Sequence, residues 1–228
     1  MELVHRWLPL ESNPDVLDTY THSLGLSEDF AHYDVLGFDD DLLEMVPKPI
    51  HAVYLLYPYQ GTNFEEKDLS KDGTLFFLTQ NPEIGEACGT IAVLNALGNL
   101  QDKIKLKDDS FFKRFFSGAI SQDPDKIGEA IMSDQALADA HKNAASSGQS
   151  EVPAEGEPTQ FHFIAFVERG GKLLEFDGLI PKPIDHGPIP EGSSLLAESV
   201  TIIKEMVEES DDQTRFSMIV MSDKQAEE

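Results

Sequence analysis

The chain has 228 residues, and one core of that size can bury roughly 70% of the surface exposed on unfolding, so residues 1–228 are read as a single domain. Its 42 acidic residues against 17 basic ones leave a net charge of −25, which repels nucleic-acid phosphates and anionic lipid and would draw in a basic partner. A single cysteine cannot close an internal disulfide, no N-terminal stretch reads as a secretory leader, and runs such as AVYLLY and FHFIAFV are far shorter than the ~20 residues of a membrane span, so a reducing, cytoplasmic setting is expected.

In chain order, ESNPDVLDTYTHSLGL opens a helix: Asn13 can cap it, Pro14 suits its first turn, Gly25 stops it, and Val16, Leu17, Tyr20 and Leu24 share a side. FDDDLLE, 38–44, is an acidic run of the kind that is usually a solvated face. PIHAVYLLYP, 49–58, and TLFFLT, 74–79, are strand candidates, each a short β-rich run between Pro, Gly or polar residues. EACGTIAVLNAL, 86–97, predicts a helix that starts near Cys88, aligns Ile91, Leu94 and Leu97, and stops at Gly98. Two more helical segments are expected within 108–142, the second rich in alanine. Residues 141–160 hold no aromatic and only one large aliphatic, Val152, so this stretch reads as a long loop that is either functional or disordered. FHFIAFVE and KLLEFD then predict two strands joined by a Gly170-Gly171 turn, and EESDD, 208–212, is a second acidic run.

The hairpin register bears on chemistry. A two-residue turn pairs Arg169 with Lys172, which sets Ile164 opposite Asp177 and makes His162 and Asp177 diagonal neighbours on one face. Diagonal neighbours have Cα atoms ~7 to 8 Å apart, near enough for an imidazole to meet a carboxylate. A thiol at a helix start, an imidazole to deprotonate it and a carboxylate behind the imidazole are the parts of a Cys-His-Asp triad. Cys88, His162 and Asp177 supply them, with Gly89 leaving the thiol uncrowded and the Cys88 N–H free to face an oxyanion. Each residue also has a plainer reading: small buried filler for Cys88, a core histidine for His162, a turn former for Asp177. His186, in PIDHG, is the rival base, but its setting between prolines reads as a surface turn; His5, His22, His32, His51 and His141 have no comparable context.

Several short stretches then occur together in order: RWLPLESNP (6–14), LLEMVPKP (42–49), ACGTI (87–91), HFIAFV with LLEFDG, DHG (185–187) and RFSMIVMS (215–222). With them the chain, from Arg6 to Ser222, closely resembles the ubiquitin C-terminal hydrolases, cysteine peptidases of papain-like fold, and in particular their small, single-domain branch. The resemblance implies an α+β sandwich, with a central, mostly antiparallel sheet between helical layers and a knotted backbone. It makes Cys88 the nucleophile, His162 the general base and acid, and Asp177 its orienting carboxylate; 141–160 becomes a crossover loop over the site, and 223–228 a disordered tail. It implies hydrolysis after the C-terminal glycine of ubiquitin by a monomer without metal or cofactor, with NEDD8 as a further possible substrate. The loop would limit leaving groups to small adducts, peptides and unfolded tails. Glu11, Asp15 and Asp34 match acidic positions that face ubiquitin, whose tail, Leu-Arg-Leu-Arg-Gly-Gly, is basic, although Asp15 would be favourable in a first helical turn in any case.

One position departs from the family pattern. Relatives carry an oxyanion-donating glutamine six residues before the cysteine, where this chain has Pro82, which offers no donor. Gln80, two residues further back, takes the role if the connection to Cys88 is two residues longer, with Asn81 as the substitute. Loss of such a donor typically costs ~10²- to 10³-fold in rate, so a ubiquitin-binding protein with weak catalysis is the alternative reading. A different Cys-His-Asp acyltransferase or transglutaminase-like enzyme, and a purely structural interaction protein, are the other two.

Overall fold

The computed structural model describes residues 7–61, 67–81, 85–119, 127, 131, 133–149 and 160–226. Six strands, β1 (Phe30–Asp34), β2 (Ile50–Pro58), β3 (Phe161–Arg169), β4 (Lys172–Phe176), β5 (Ile184–Pro188) and β6 (Ser217–Asp223), form one sheet in the order β1-β6-β2-β3-β4-β5. Every neighbouring pair is antiparallel. The inner strands are apolar on both faces because both faces are covered. One side of the sheet packs under α1 (Pro14–Leu24), α3 (Cys88–Gly98), α4 (Phe111–Ala119) and α5 (Gln135–Ala145). The other side packs under α6 (Leu195–Glu209) and residues flanking the short α2 (Asp40–Glu44). This is the expected α+β sandwich. Tracing a knot requires an unbroken chain, and 62–66, 82–84 and 150–159 lie outside the described residues.

Helix α1 forms as its sequence dictates. Asn13 Oδ1 accepts the Asp15 N–H at 2.9 Å, Pro14 occupies the first turn, and Gly25, at φ 116°, closes the end in the left-handed region. The β3–β4 hairpin also keeps the expected register, Arg169 opposite Lys172, with Gly170 and Gly171 at φ 61° and 75°. Helix α6, which the sequence reading does not anticipate, is capped by the Ser194 hydroxyl accepting the Ala197 N–H.

Helix α3 is buried at all eleven of its residues, so it presents no solvent face at all. Glycines let it approach its neighbours: a Cβ on Gly89 would lie 3.2 Å from Leu10 and Phe163, and one on Gly98 would collide with the Phe76 ring. Gly98 is the last residue of the helix, as expected, with Asn99 as its cap, and its missing side chain also makes room for the Phe76 ring.

The expected strand at 74–79 is not one. It is paired not by a strand but by two asparagine side chains, Asn95 on α3 and Asn99 at its cap. Asn95 Oδ1 accepts from Leu78 N–H (2.7 Å) and its amide donates to Leu78 O (3.0 Å), while Asn99 does the same for Phe76 (3.0 and 2.7 Å). Two asparagines one helical turn apart thus copy the bonding of a strand edge.

Two boundaries also shift. Helix α5 extends through Ala145, so the first five residues of the expected loop at 141–160 are helical; 150–159 lie outside the described residues. At the C-terminus the expected disordered tail begins too early: Asp223 pairs with Phe30, Lys224 N–H donates to Asp29 O, and Gln225 N–H donates to the Tyr33 hydroxyl. Among the described residues no helix is long and apolar enough to cross a membrane.

Because Asn95 satisfies both polar groups of a buried peptide, Asn95→Ala leaves a donor and an acceptor without partners at ~1 to 3 kcal/mol each. The variant is expected to lose about 2 to 6 kcal/mol in urea unfolding, well above the cost of a surface Asn→Ala change.

Candidate active site

The triad assembles where the start of α3 meets the sheet. Cys88 is the first residue of α3, His162 the second of β3, and Asp177 follows the last residue of β4. Their exposures are 5%, 3% and 1%, so the group is closed off from bulk water. His162 Nε2 lies 2.6 Å from Asp177 Oδ1, and His162 also hydrogen-bonds Cys88, for which the remaining ring nitrogen, Nδ1, is left. The diagonal placement inferred from the hairpin thus holds. Asp177 is fixed in turn: its Oδ1 accepts the Leu179 N–H at 2.8 Å, and its carbonyl accepts from Ile180.

Burial works against a charged imidazole, but the hydrogen bonds and charges of Asp177 and Cys88 outweigh it and raise the His162 pKa from 6.5 to about 9. Tyr59 and Tyr57 enclose the ring, their centroids 5.2 and 6.0 Å away. The sequence gives no signal for either tyrosine: PIHAVYLLYP reads only as a strand, Tyr59 lies just past it, and nothing there announces contact with a residue about a hundred positions on.

The rival base is settled by position. His186 is not in a surface turn; it sits half-buried on β5, its Nε2 2.8 Å from Glu175 Oε2, and its ring lies 6.1 Å from Phe166. It joins neither Cys88 nor Asp177. The other described histidines have bonds of their own: His22 with Phe30 O, His32 with Asp18, His51 with Asp223, and His141 with Thr90 and Leu8.

Gln80 lies beside Gly178, the residue after Asp177, and its backbone N–H donates to Gly178 O at 2.8 Å. One of its amide hydrogens goes to Gly85 O (2.9 Å), three residues before Cys88, while its Oε1 is buried without a partner among the described residues. The second amide hydrogen is left to donate. Asn81 is engaged in an interaction of its own, and Pro82 lies outside the described residues.

The acidic residues form a separate feature. Ser12, Asn13, Pro14, Asp15 and Asp34 line an open cleft of about 370 Å³. Partial burial, and then the charge of Asp15, hold the Asp34 carboxyl above its ordinary pKa. Glu11 stands next to them, accepting from Asn13 Nδ2 at 3.0 Å, and Gly148 packs so tightly on the Glu11 carboxylate that a Cβ there would collide with it. Among the described residues no group of three or more His, Cys, Asp or Glu side chains is placed to hold a metal ion.

A thiol at a helix start, an imidazole and a carboxylate in this order suit nucleophilic attack on a carbonyl. Comparison with known proteins agrees. Residues 7–208 match the profile of the family described as ubiquitin carboxyl-terminal hydrolase, family 1. The chain is 40% identical over 226 residues to ubiquitin carboxyl-terminal hydrolase 3 of Arabidopsis thaliana, covering 95% of this chain and 94% of that one. It is 35% identical over 238 residues to a probable ubiquitin carboxyl-terminal hydrolase of Dictyostelium discoideum, covering 100% and 92%. In fold it is similar to the catalytic domain of Trichinella spiralis UCH37 bound to ubiquitin vinyl methyl ester, with a TM-score of 0.77 at 22% identity over 96% of each chain.

The raised pKa of His162 has a measurable consequence. An NMR titration of its ring is expected to have a midpoint near 9, and both Asp177→Asn and Cys88→Ala should lower it. The sign for stability follows: the contribution of the charged ring is full below its unfolded value of about 6.5 and is lost as pH rises through about 9. A wild-type midpoint at or below 6.5 would contradict the ion-paired arrangement.

Proposed function

The chain belongs to family 1 of the ubiquitin carboxyl-terminal hydrolases, and from that membership and the geometry of the site we propose how it cleaves. It is a cysteine-type deubiquitinase acting on the bond after the C-terminal glycine of ubiquitin. The observation that carries the assignment of roles is the buried His162, bonded to Asp177 at 2.6 Å on one side and to Cys88 on the other.

The Cys88 thiolate attacks the glycine carbonyl carbon, and the electron pair of the C=O bond moves to oxygen. The Cys88 N–H, which has no carbonyl four residues back in the helix, and the second amide hydrogen of Gln80 donate to that oxyanion. His162, held as imidazolium by Asp177, protonates the leaving amine or thiol, which leaves Cys88 acylated. A water, deprotonated by the now neutral His162, attacks the thioester and frees the ubiquitin carboxylate and the thiol. The chemistry uses protein groups alone. A thiol that must stay reduced suits the cytoplasm, and NEDD8 and a monomeric state complete the proposal.

The acidic cleft suits the arginines of the ubiquitin tail. A guanidinium would supply the opposite charge that Asp34 and Asp15 lack while they face each other. Asp34→Asn is expected to raise KM for a ubiquitin substrate about 3- to 10-fold with kcat unchanged, an effect that moderate salt partly reproduces in the wild type. An unchanged KM would remove Asp34 from the substrate site.

The decisive assay is hydrolysis of a fluorogenic ubiquitin C-terminal amide. Cys88→Ala is expected to abolish turnover, and Gln80→Ala to lower kcat by ~10²-fold or more. In the same assay ubiquitin fused to a short peptide should be cut faster than ubiquitin fused to a folded domain, the outcome that the crossover-loop reading of 141–160 requires. Tight ubiquitin binding by the wild type without turnover would favour the reading as a binding protein.

A further inference from the structure

His141, one of the histidines without evident context in the sequence, is 1% exposed and sits at a junction of four segments. Its Nε2 is 2.6 Å from Leu8 O, and a carbonyl only accepts, so this nitrogen carries the proton. Its Nδ1 is then a bare acceptor, 2.9 Å from the Thr90 hydroxyl. Thr90, having given its hydrogen to His141, must accept from the Tyr20 hydroxyl at 2.6 Å. Every proton in the chain Tyr20 to Thr90 to His141 to Leu8 has one direction only. Burial pushes the His141 pKa down to about 4, which keeps the ring neutral as this pattern requires. The Trp7 ring covers it at 4.4 Å.

Two of the elements joined here adjoin Cys88 directly. Thr90 lies in the first turn of α3, two residues after Cys88. Trp7 bridges to Gly85 and its carbonyl accepts the Glu86 N–H, bracing the chain just before Cys88; Leu10 packs on Gly89, just after it. His141 itself lies in the last two turns of α5, and the chain leaving that helix seats Gly148 on Glu11.

We propose that His141 is a positioning residue for catalysis: by bonding Leu8 and Thr90 at once it sets the first turn of α3, and with it the thiol and oxyanion N–H of Cys88. The inference rests on the hydrolase reading above. No proton of the reaction passes through His141, and its effect reaches the substrate through Cys88.

The test compares His141→Ala, His141→Gln, Thr90→Val and Thr90→Ser at a temperature where circular dichroism shows all of them folded. Each is measured for kcat and KM on the fluorogenic ubiquitin amide and for the rate of Cys88 alkylation by iodoacetamide. His141→Ala and Thr90→Val are expected to lower kcat by about 10-fold or more and to change the alkylation rate, with a smaller effect on KM. His141→Gln, whose amide can both donate to Leu8 and accept from Thr90, and Thr90→Ser should stay within about threefold of wild type. A folded His141→Ala with kcat within about twofold of wild type and unaltered alkylation overturns the proposal, leaving His141 as packing alone. If His141→Ala does not fold, the two Thr90 variants decide, and equal activity in both overturns it. A wild type that never turns over instead sinks the hydrolase reading, and the alkylation rates still report on His141.

Discussion

Burying α3 on every side is the constraint on which the rest of the structure depends. A helix with no wet face needs an apolar partner in every direction and a bond for every polar atom it carries. The sheet supplies one partner through Phe163, α1 and the N-terminal segment supply others, and the segment around Phe76 and Leu78 supplies the last. Its polar side chains then become connectors. Asn95 and the adjoining Asn99 hold that segment, and Thr90 links α1 to α5 through Tyr20 and His141. With its sides and far end committed, the start of the helix is where chemistry can happen, and Cys88 stands there.

The triad carries the opposite burden. A carboxylate 1% exposed and an imidazolium 3% exposed would each be costly alone in a medium that solvates charge poorly. Together, with the Leu179 N–H on the same carboxylate oxygen, they satisfy one another, and the ring keeps its proton to about pH 9. The buried His141, a sheet-width of chain away in sequence terms but joined through Thr90 to the same helix turn, has no charged partner among its bonds and is pushed the other way, to about 4. Two histidines equally shut off from water thus end up in opposite protonation states. Partners decide this, since burial is common to both.

What was legible in the sequence was local. Asn13, Pro14 and Gly25 mark α1 because capping and turn chemistry act within a few residues, and the Gly170-Gly171 turn set a register that carried His162 to Asp177. The identity of the nucleophile and its partners came from residue type, that register and the resemblance together. The segment at 74–79 was misread because its β-rich composition does not say whether a strand or two asparagine side chains will pair with it. Gly98 ends α3 as read, but its second role, leaving room for the Phe76 ring, was hidden because that ring comes from a distant segment. His186 and His141 failed in opposite directions, since neighbouring prolines suggested exposure for the first and a polar, alanine-rich setting hid the burial of the second. These misreadings share a cause, which is that each outcome depends on a partner distant in the chain.

The acidic excess acquires a local meaning at the cleft. A net charge of −25 resists the gathering of further carboxylates, yet Asp15 and Asp34 face one cleft closely enough that the charge of Asp15 helps hold Asp34 above its ordinary pKa. A sequence selected only for stability would place a lysine or a neutral residue at one of these positions, as the surface pairs Lys103–Glu168 and Arg169–Asp102 do elsewhere. Like charges left facing each other are a local cost that an incoming cation removes. The long-range field of the whole molecule and the pair in the cleft therefore have the same sign and would favour the same kind of ligand, a cationic one: under the proposed reading the first would raise its encounter rate and the second would set where its positive charge settles.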